Sequence, residues 1–348
     1  MSQIRIAVIG VGNCAGSLIE GLHHYRNQPE APGLLFPRLG GYTVGDIAVV
    51  CAFDIAEGKI GKEVGRAIYA KPNNFVRLGV ENLEEKATVH RGPTLDGNPE
   101  HLQVFVTESS EEPVNVVDIL RRERVDIVVN FLPTGSVEAT EHYGLAALEA
   151  GAAFVNCIPT IFAQRADVQA MFAAKNLPVL GDDVKSQVGS TIIHRTLLNM
   201  LLHRGAVITR TSQVNVGGNT DFANFVHRAE TKLVSKRKSL AAFVNDDTPS
   251  HVGHHYDPTQ GPLKRTSFII DAEVFGGSKV SLVVQLQSDD KPNCSGSVID
   301  LVRIAKYEKD QCNGGVIDDG CAYYVKSQPT PMSDDSAYEA VNRRWGSV

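Results

Sequence analysis

The apolar run 4–9 ends in Gly10-Val11-Gly12-Asn13-Cys14-Ala15 and passes directly into a helical pattern over residues 13–25. Few folds accept a strand that turns on two glycines into a helix. Gly10 permits the tight turn, and Gly12 lets the backbone approach a pyrophosphate. Ala15 takes the small-residue position where helix packs close on strand. The opening of that helix, with Asn13 and Cys14 in its first turn, offers free N–H groups and positive potential to phosphates. A second apolar run, 47–53, ends in Asp54, whose carboxylate suits ribose hydroxyls and favours NAD over NADP. Asp54 stands 42 positions after Gly12 instead of the usual ~20, and the Pro/Gly-rich insertion 28–45 absorbs the excess. Leu132, Pro133, Thr134 and Gly135 follow another apolar run and predict a later loop on the same sheet edge, also facing the cofactor.

Helical patterns at 57–69, 113–122, 137–150 and 161–174 alternate with strand patterns at 103–106, 126–131, 153–157 and 178–180. This alternation predicts an α/β fold with a Rossmann-type doubly wound parallel sheet. After a helical stretch at 186–203 the character changes. Runs 207–216, 267–275 and 279–287 are long, alternating and rich in β-branched residues, which predicts antiparallel strands of a second layer. Residues 294–307 read as a helix. These patterns predict a nucleotide-binding domain interrupted, or followed, by an α+β domain. The last dozen residues read as a loosely held helix or tail.

Composition narrows the function classes. The 348 residues carry 34 Lys+Arg against 40 Asp+Glu, a net charge of −6, without any long basic stripe, which argues against nucleic acid as a partner. No apolar run approaches the length of a membrane span, and the short N-terminal run does not suit a secretion signal. The six cysteines contain no C-x-x-C pair and read as free thiols in a reducing cytoplasm. No zinc-type ligand spacing is present. His251, His254 and His255 have a spacing that suits a metal, but a mobile polar loop over 251–264 is the preferred reading.

Three further stretches carry chemistry-bearing residues. In Gly181-Asp182-Asp183-Val184-Lys185-Ser186-Gln187, adjacent carboxylates repel, so one is expected to have a raised pKa or to hold a cation. In Asn215-Val216-Gly217-Gly218-Asn219-Thr220-Asp221, side-chain amides beside a carboxylate suit polyol hydroxyls. Lys232 and Lys236 share one helical face if that segment is helical, and their repulsion would lower an amine pKa toward neutrality. Taken singly, each has a plain structural explanation as a cap, a turn or a solvated face. Together, beside a dinucleotide signature, they make a catalytic reading competitive without naming a reaction.

The chain resembles the myo-inositol-phosphate synthases, particularly their bacterial branch. The carrying stretches, in order, are Val8–Ala15, Ala52-Phe53-Asp54, Arg91–Gly97, Gly181–Gly189 and Asn215–Asp221. That resemblance implies an NAD-dependent isomerase that turns glucose 6-phosphate into inositol phosphate. C5 is oxidised, C6 loses a proton, the enolate closes on the C1 aldehyde, and the ring ketone is reduced again with no net redox change. It implies catalytic roles for Lys232, Lys236, Lys264, Asp290 and Lys326, with Asp183, Asn219 and Asp221 at matching site positions. Thr231 stands where the family's lysine motif has its first Ser. Ser186, Gln187, Val188 and Gly189 are implied as a backbone cradle for the substrate phosphate, and lysines in one site suit the negative charge that develops there. The resemblance also implies an NAD-binding domain over 1–200, completed by 294–348, with an α+β catalytic unit inserted at 201–293 that builds a homotetramer, and it leaves open an assisting monovalent or divalent cation. Two other readings stand beside it: an NAD-dependent dehydrogenase of a sugar phosphate, and a non-catalytic NAD-binding sensor.

Overall fold

The computed structural model describes residues 3–28, 30, 32–80, 83–228, 243–244 and 247–346. The chain runs β1 (Ile4–Ile9), α1 (Asn13–Asn27), β2 (Ile47–Asp54), α2 (Val64–Ala67), β3 (Val89–Arg91), α3 (Glu100–Gln103) and α4 (Val116–Arg122). It continues β4 (Ile127–Asn130), α5 (Val137–Ala150), β5 (Ala153–Asn156), α6 (Ala166–Ala174), β6 (Pro178–Leu180), α7 (Ser190–His203), β7 (Val207–Gly217) and α8 (Thr220–Arg228). Then follow β8 (Ser250–Tyr256), β9 (Lys264–Val274), β10 (Ser278–Ser288), α9 (Asp290–Asp310), β11 (Gly315–Val316), α10 (Asp318–Tyr324) and α11 (Asp334–Val341).

Seven strands form one parallel sheet in the order β11-β6-β5-β4-β1-β2-β3. The order reverses between β1 and β4, so a crevice opens there beyond the carboxyl ends of the strands. β1, β4, β5 and β6 are wholly apolar or nearly so because helices cover both faces. α1 and α9 pack on one face, sharing a core with Ile4, Ile6, Val8, Val298 and Val302. The other face carries Phe154, Phe162 and Phe172 with residues of α4, α5 and α6.

β7, β8, β9 and β10 form a second sheet in the order β10-β9-β7-β8. β9 pairs antiparallel with β7 and β10, as the alternation predicts. α7 lays Leu198 and Leu201 against this sheet beside Ile208, Ile270 and Ala272.

Several local expectations are corrected. Residues 57–69 hold only the four-residue α2, because Gly61 at φ +73° breaks the helix and Glu63 bridges to Thr88. Residues 103–106 are not a strand: Pro99 and Glu100 open the short α3, and Val104 points to solvent. β3, which pairs with the end of β2, takes the sheet edge instead. Residues 251–264 are β8, a short 3-10 turn and the start of β9, and β8 runs parallel to β7. On β8, His254 and His255 project to opposite faces, which separates them as ligands. Among the described residues no group of three metal-binding side chains gathers, and no helix is long and apolar enough to cross a membrane.

The C-terminal residues are firmly docked. Trp345 is fully buried and donates to Glu308 Oε1 at 2.7 Å, while Arg344 pairs with Glu308 and Asp319. The composition of this segment is polar, but its few apolar side chains are spaced to close over α9.

Candidate active site

One cleft lies at the carboxyl edge of the parallel sheet and extends to the ends of β7 and β9. Gly10, Gly12, Asn13, Cys14 and Asp54 line it beside Leu132, Pro133 and Thr134 from the loop after β4. Ala15 is buried behind this wall, and Gly135 lies under the Arg228 side chain.

Gly10 adopts φ +83°, and a Cβ there would meet the Phe131 carbonyl oxygen at 2.9 Å, so only glycine fits between β1 and β4. Gly12 differs. It precedes α1 with ordinary extended backbone and no side-chain cap, and a Cβ would meet nothing within 4 Å because that direction faces the cleft. An uncapped helix start, open space over Gly12 and an acid at the end of β2 are the features a dinucleotide needs, so these residues fit one. Gly12→Ala should therefore leave thermal stability unchanged while filling space a pyrophosphate needs, weakening NAD binding by about tenfold or more. Calorimetric titration and a thermal melt on the same protein check this; unaltered affinity would remove Gly12 from the cradle.

Asp54 does more than cap a strand. Its Oδ2 accepts from the Val11 N–H at 2.8 Å and lies 3.4 Å from Lys59 Nζ, while Oδ1 accepts from the Ile55 and Ala56 N–H groups. Lys59 also reaches Asn73 Oδ1 at 3.3 Å, and Asn73 donates to the Val11 carbonyl at 2.9 Å. The glycine turn is thus held from both sides. The local sequence does not mark Lys59, because the break at Gly61 is what aims it back at Asp54.

Opposite the glycine turn stand two lysine–carboxylate pairs. Lys326 Nζ donates to Asp183 Oδ1 at 2.6 Å, with both side chains largely buried. The backbone reinforces this contact: Lys326 N–H donates to the Asp183 carbonyl at 2.8 Å, and Val184 bridges Val325. Lys264, first residue of β9, donates to Asp290 Oδ2 at 2.5 Å. Residues 143 and 26 apart in sequence meet because four chain segments converge at one sheet end. Lys232 and Lys236 lie outside the described residues.

The adjacent acids have separate fates. Asp182 is fully buried and accepts from Asn156 Nδ2 and from the Phe162 and Ala163 N–H groups. Burial pushes its pKa up to about 6, with those donors opposing. The expected repulsion between Asp182 and Asp183 is not the cause. Lys185 is also buried, bonded to the Ala322 carbonyl at 3.0 Å and to Asp334 at 3.2 Å, and burial lowers its pKa to about 8. Native Asp182 holds a proton between its unfolded pKa of about 4 and its folded value of about 6, where the unfolded chain does not. Stability should fall across that window as pH rises. Lys185 acts oppositely: above about 8, and up to an unfolded value near 10.4, the unfolded chain binds the extra proton, so stability rises with pH. Asp182→Asn should erase the acid-side slope in thermal midpoint against pH; a variant retaining that slope would exclude Asp182 as its source.

Asn219 accepts the Phe222 N–H at 3.0 Å and so caps α8, which leaves Asp221 in the first turn on the cleft wall. Asn215 spends its amide inside the protein: it donates to the Gly253 carbonyl and accepts from Gln213 and Thr266. It therefore braces the sheet, with its amide engaged inside the protein and not offered to hydroxyls as the loop's composition predicts.

The stretch 186–189 divides between the cleft and the α9 side of the loop. Gln187 and Val188 direct their N–H groups to Asn293, at 3.0 and 2.9 Å, and Val188 is exposed. Ser186 and Gly189 do line the cleft, together with Ser190 and Thr191. α7 starts there with Gly189 as an N-cap that supplies no side-chain bond, so its first turn faces the cleft. The bonds that turn the Gln187 and Val188 N–H groups toward Asn293 are non-local, so the local sequence does not mark them.

A sequence profile described as myo-inositol-1-phosphate synthase matches residues 189–291. The inositol-3-phosphate synthase of Mycolicibacterium smegmatis is 38% identical to the chain over 96% of each protein. That of Corynebacterium glutamicum is 39% identical over 97% of each. The chain belongs to the inositol-phosphate synthase family. Among solved structures, Ari2 is 31% identical and similar in fold, with a TM-score of 0.81 over 98% of both chains. The myo-inositol-1-phosphate synthase-related protein of Thermotoga maritima shares the fold at a TM-score of 0.80 and 23% identity, covering 98% of both chains. The family's profile spans α7, the β7–α8 junction and β9, which carry the helix start, Asn219 and Asp221, and Lys264 in this cleft.

Proposed function

We propose that the protein is an NAD-dependent isomerase that converts D-glucose 6-phosphate to 1D-myo-inositol 3-phosphate. The observation that carries this reading is the meeting, in one cleft, of a glycine-turn cofactor cradle with the two pairs Lys264–Asp290 and Lys326–Asp183. When bound, NAD supplies a hydride acceptor at the sugar and returns the hydride to the cyclised product, so no net redox change results. The open first turn of α7 binds the substrate phosphate and fixes the sugar chain relative to both lysines. Negative charge grows first on the enolate oxygen and then on the aldol alkoxide. Lys264 and Lys326 stabilise it as ammonium groups held by carboxylates, Asp183 buried and Asp290 partly exposed, and can pass a proton to the alkoxide. Lys232 and Lys236 are assigned to the same charge field by family resemblance.

An ordinary sugar-phosphate dehydrogenase needs one acid–base group, which makes two anchored lysines superfluous. The proposed organisation is an NAD-binding unit completed by α9 to α11, with the second sheet inserted. Self-association into a tetramer is proposed through that sheet: β10 is its edge, Val283 is mostly exposed, and Phe275 at the preceding turn is 98% exposed. A cytoplasmic location accords with the enzyme's substrate and cofactor.

The test supplies glucose 6-phosphate and NAD and reads inositol phosphate together with net NADH. Cyclic product without accumulating NADH is the expected result. Net NADH without cyclic product would establish a dehydrogenase. With neither signal, the same assay on other hexose phosphates decides between a changed substrate and a non-catalytic protein.

A further inference from the structure

Lys291 is a residue whose chemistry the foregoing mechanism does not use. It lines the cleft, yet its side chain is only 4% exposed. Its ammonium group is 2.6 Å from Asp289 Oδ1 and also donates to the Pro262 carbonyl. Asp289 is the N-cap of α9, accepting the Lys291 N–H at 3.1 Å, and its other oxygen accepts the Val76 N–H at 3.2 Å. One buried ion pair therefore ties three segments together: the 72–76 loop beside the glycine turn, the Pro262 turn that leads into β9, and the start of α9.

Those last two segments carry Lys264 and Asp290. Lys264 lies two residues after Pro262, and Asp290 lies between Asp289 and Lys291. Lys264 begins β9 in register with Gly217 of β7 and Ser288 of β10, and Asp290 begins α9 with a bond from Ser288 Oγ at 3.3 Å, so the Pro262 carbonyl and the α9 N-cap bear on the N-terminal side of each. The 72–76 loop is itself bonded to the cofactor turn, through Asn73 to Val11 and Asn74 to Asn13. A continuous run of hydrogen bonds thus extends from the glycine turn through Asp289 and Lys291 to the backbone that sets Lys264.

We infer that Lys291, through its ion pair with Asp289 and its bond to the Pro262 carbonyl, is a positioning residue that fixes Lys264 against Asp290 for catalysis. The inference rests on the proposed isomerase reading for its kinetic consequence and on geometry alone for the clamp. Lys291 holds backbone and touches no reacting atom in this scheme. Misplacing a catalytic group by about an ångström costs on the order of 10²-fold in turnover.

The experiment uses the full-length protein with Lys291→Met, which keeps the stem and removes the charge. Because this leaves Asp289 buried and unpaired, Asp289→Asn/Lys291→Met is made beside it; the amide still accepts a backbone N–H while no lone buried charge remains. Two readouts are taken. Acetic anhydride labelling, followed by mass spectrometry, reports access to each lysine; Lys264 should react about tenfold faster in both variants, with the buried Lys185 unchanged. Steady-state turnover of glucose 6-phosphate should show kcat down about 10²-fold with NAD retention and KM near the native values. In the double variant the thermal midpoint should return toward native while kcat stays low, a separation that a merely structural role would not produce. Native labelling of Lys264, or a double variant with native kcat, would overturn the inference, as would equal loosening of Lys185. Failure of the native protein to form inositol phosphate would sink the isomerase reading instead, and labelling would still decide the clamp.

Discussion

Lys326→Met should abolish inositol phosphate formation, lowering kcat by about 10³-fold or more while NAD stays bound. Removing one preorganised charge from a site of developing negative charge costs on the order of 10²–10³ in kcat. Here the loss is compounded, because the partner Asp183, nearly inaccessible to solvent, is left as an uncompensated anion beside the substrate. The remaining carboxylate then opposes the charge that Lys326 would have stabilised. Breaking a buried pair from one side also costs about 3–5 kcal/mol of stability, so folding must be controlled. Asp183→Asn/Lys326→Met serves that purpose, since an amide in place of the carboxylate carries no charge. The expected pattern is a recovered thermal midpoint with turnover still absent. Turnover in Lys326→Met within tenfold of native would remove Lys326 from the chemistry.

Asp54→Ala should raise the Kd for NAD by about 10²-fold. Asp54 receives the Val11 N–H between the two glycines and neutralises Lys59, whose side chain is 5% exposed. Alanine frees the turn and leaves a buried ammonium without its carboxylate, a disruption of about 3 kcal/mol or more, which corresponds to that factor if it falls on the cofactor-binding state. Asp54→Asn should weaken binding less, because its side-chain oxygen still accepts a backbone N–H. Calorimetric titration of both variants checks the order; equal affinity in Asp54→Ala and native protein would show that the carboxylate neither holds the ribose nor braces the turn.

The parallel half of the molecule was legible because its signals are local and redundant. An apolar strand, two glycines and a helix specify the β1–α1 turn without reference to distant residues. The long alternating runs of β7, β9 and β10 likewise declared a two-faced sheet. Elements that depend on a neighbour were missed. β3 has three residues and exists because β2 offers its edge. β8 is rich in His and Gly, and it becomes a strand because β7 offers seven pairing positions. The C-terminal segment looked unattached, since Trp345 finds its place only once Glu308 of α9 has returned beneath the sheet.

The sequence by itself determined the cofactor turn, the parallel sheet, the second sheet and the types of charged groups available, because each rests on periodicity or on residues adjacent in the chain. Only tertiary structure decided how those groups are used. It joined Lys326 to Asp183 and Lys264 to Asp290, turned the Gln187 and Val188 N–H groups away toward Asn293, and gave the cleft the first turn of α7. It also buried Asp182 while leaving Asp183 at the cleft, so that two neighbouring, chemically identical acids differ in role. A carboxylate's strength and a lysine's partner depend on desolvation and on contacts between distant segments, and neither is written in local sequence.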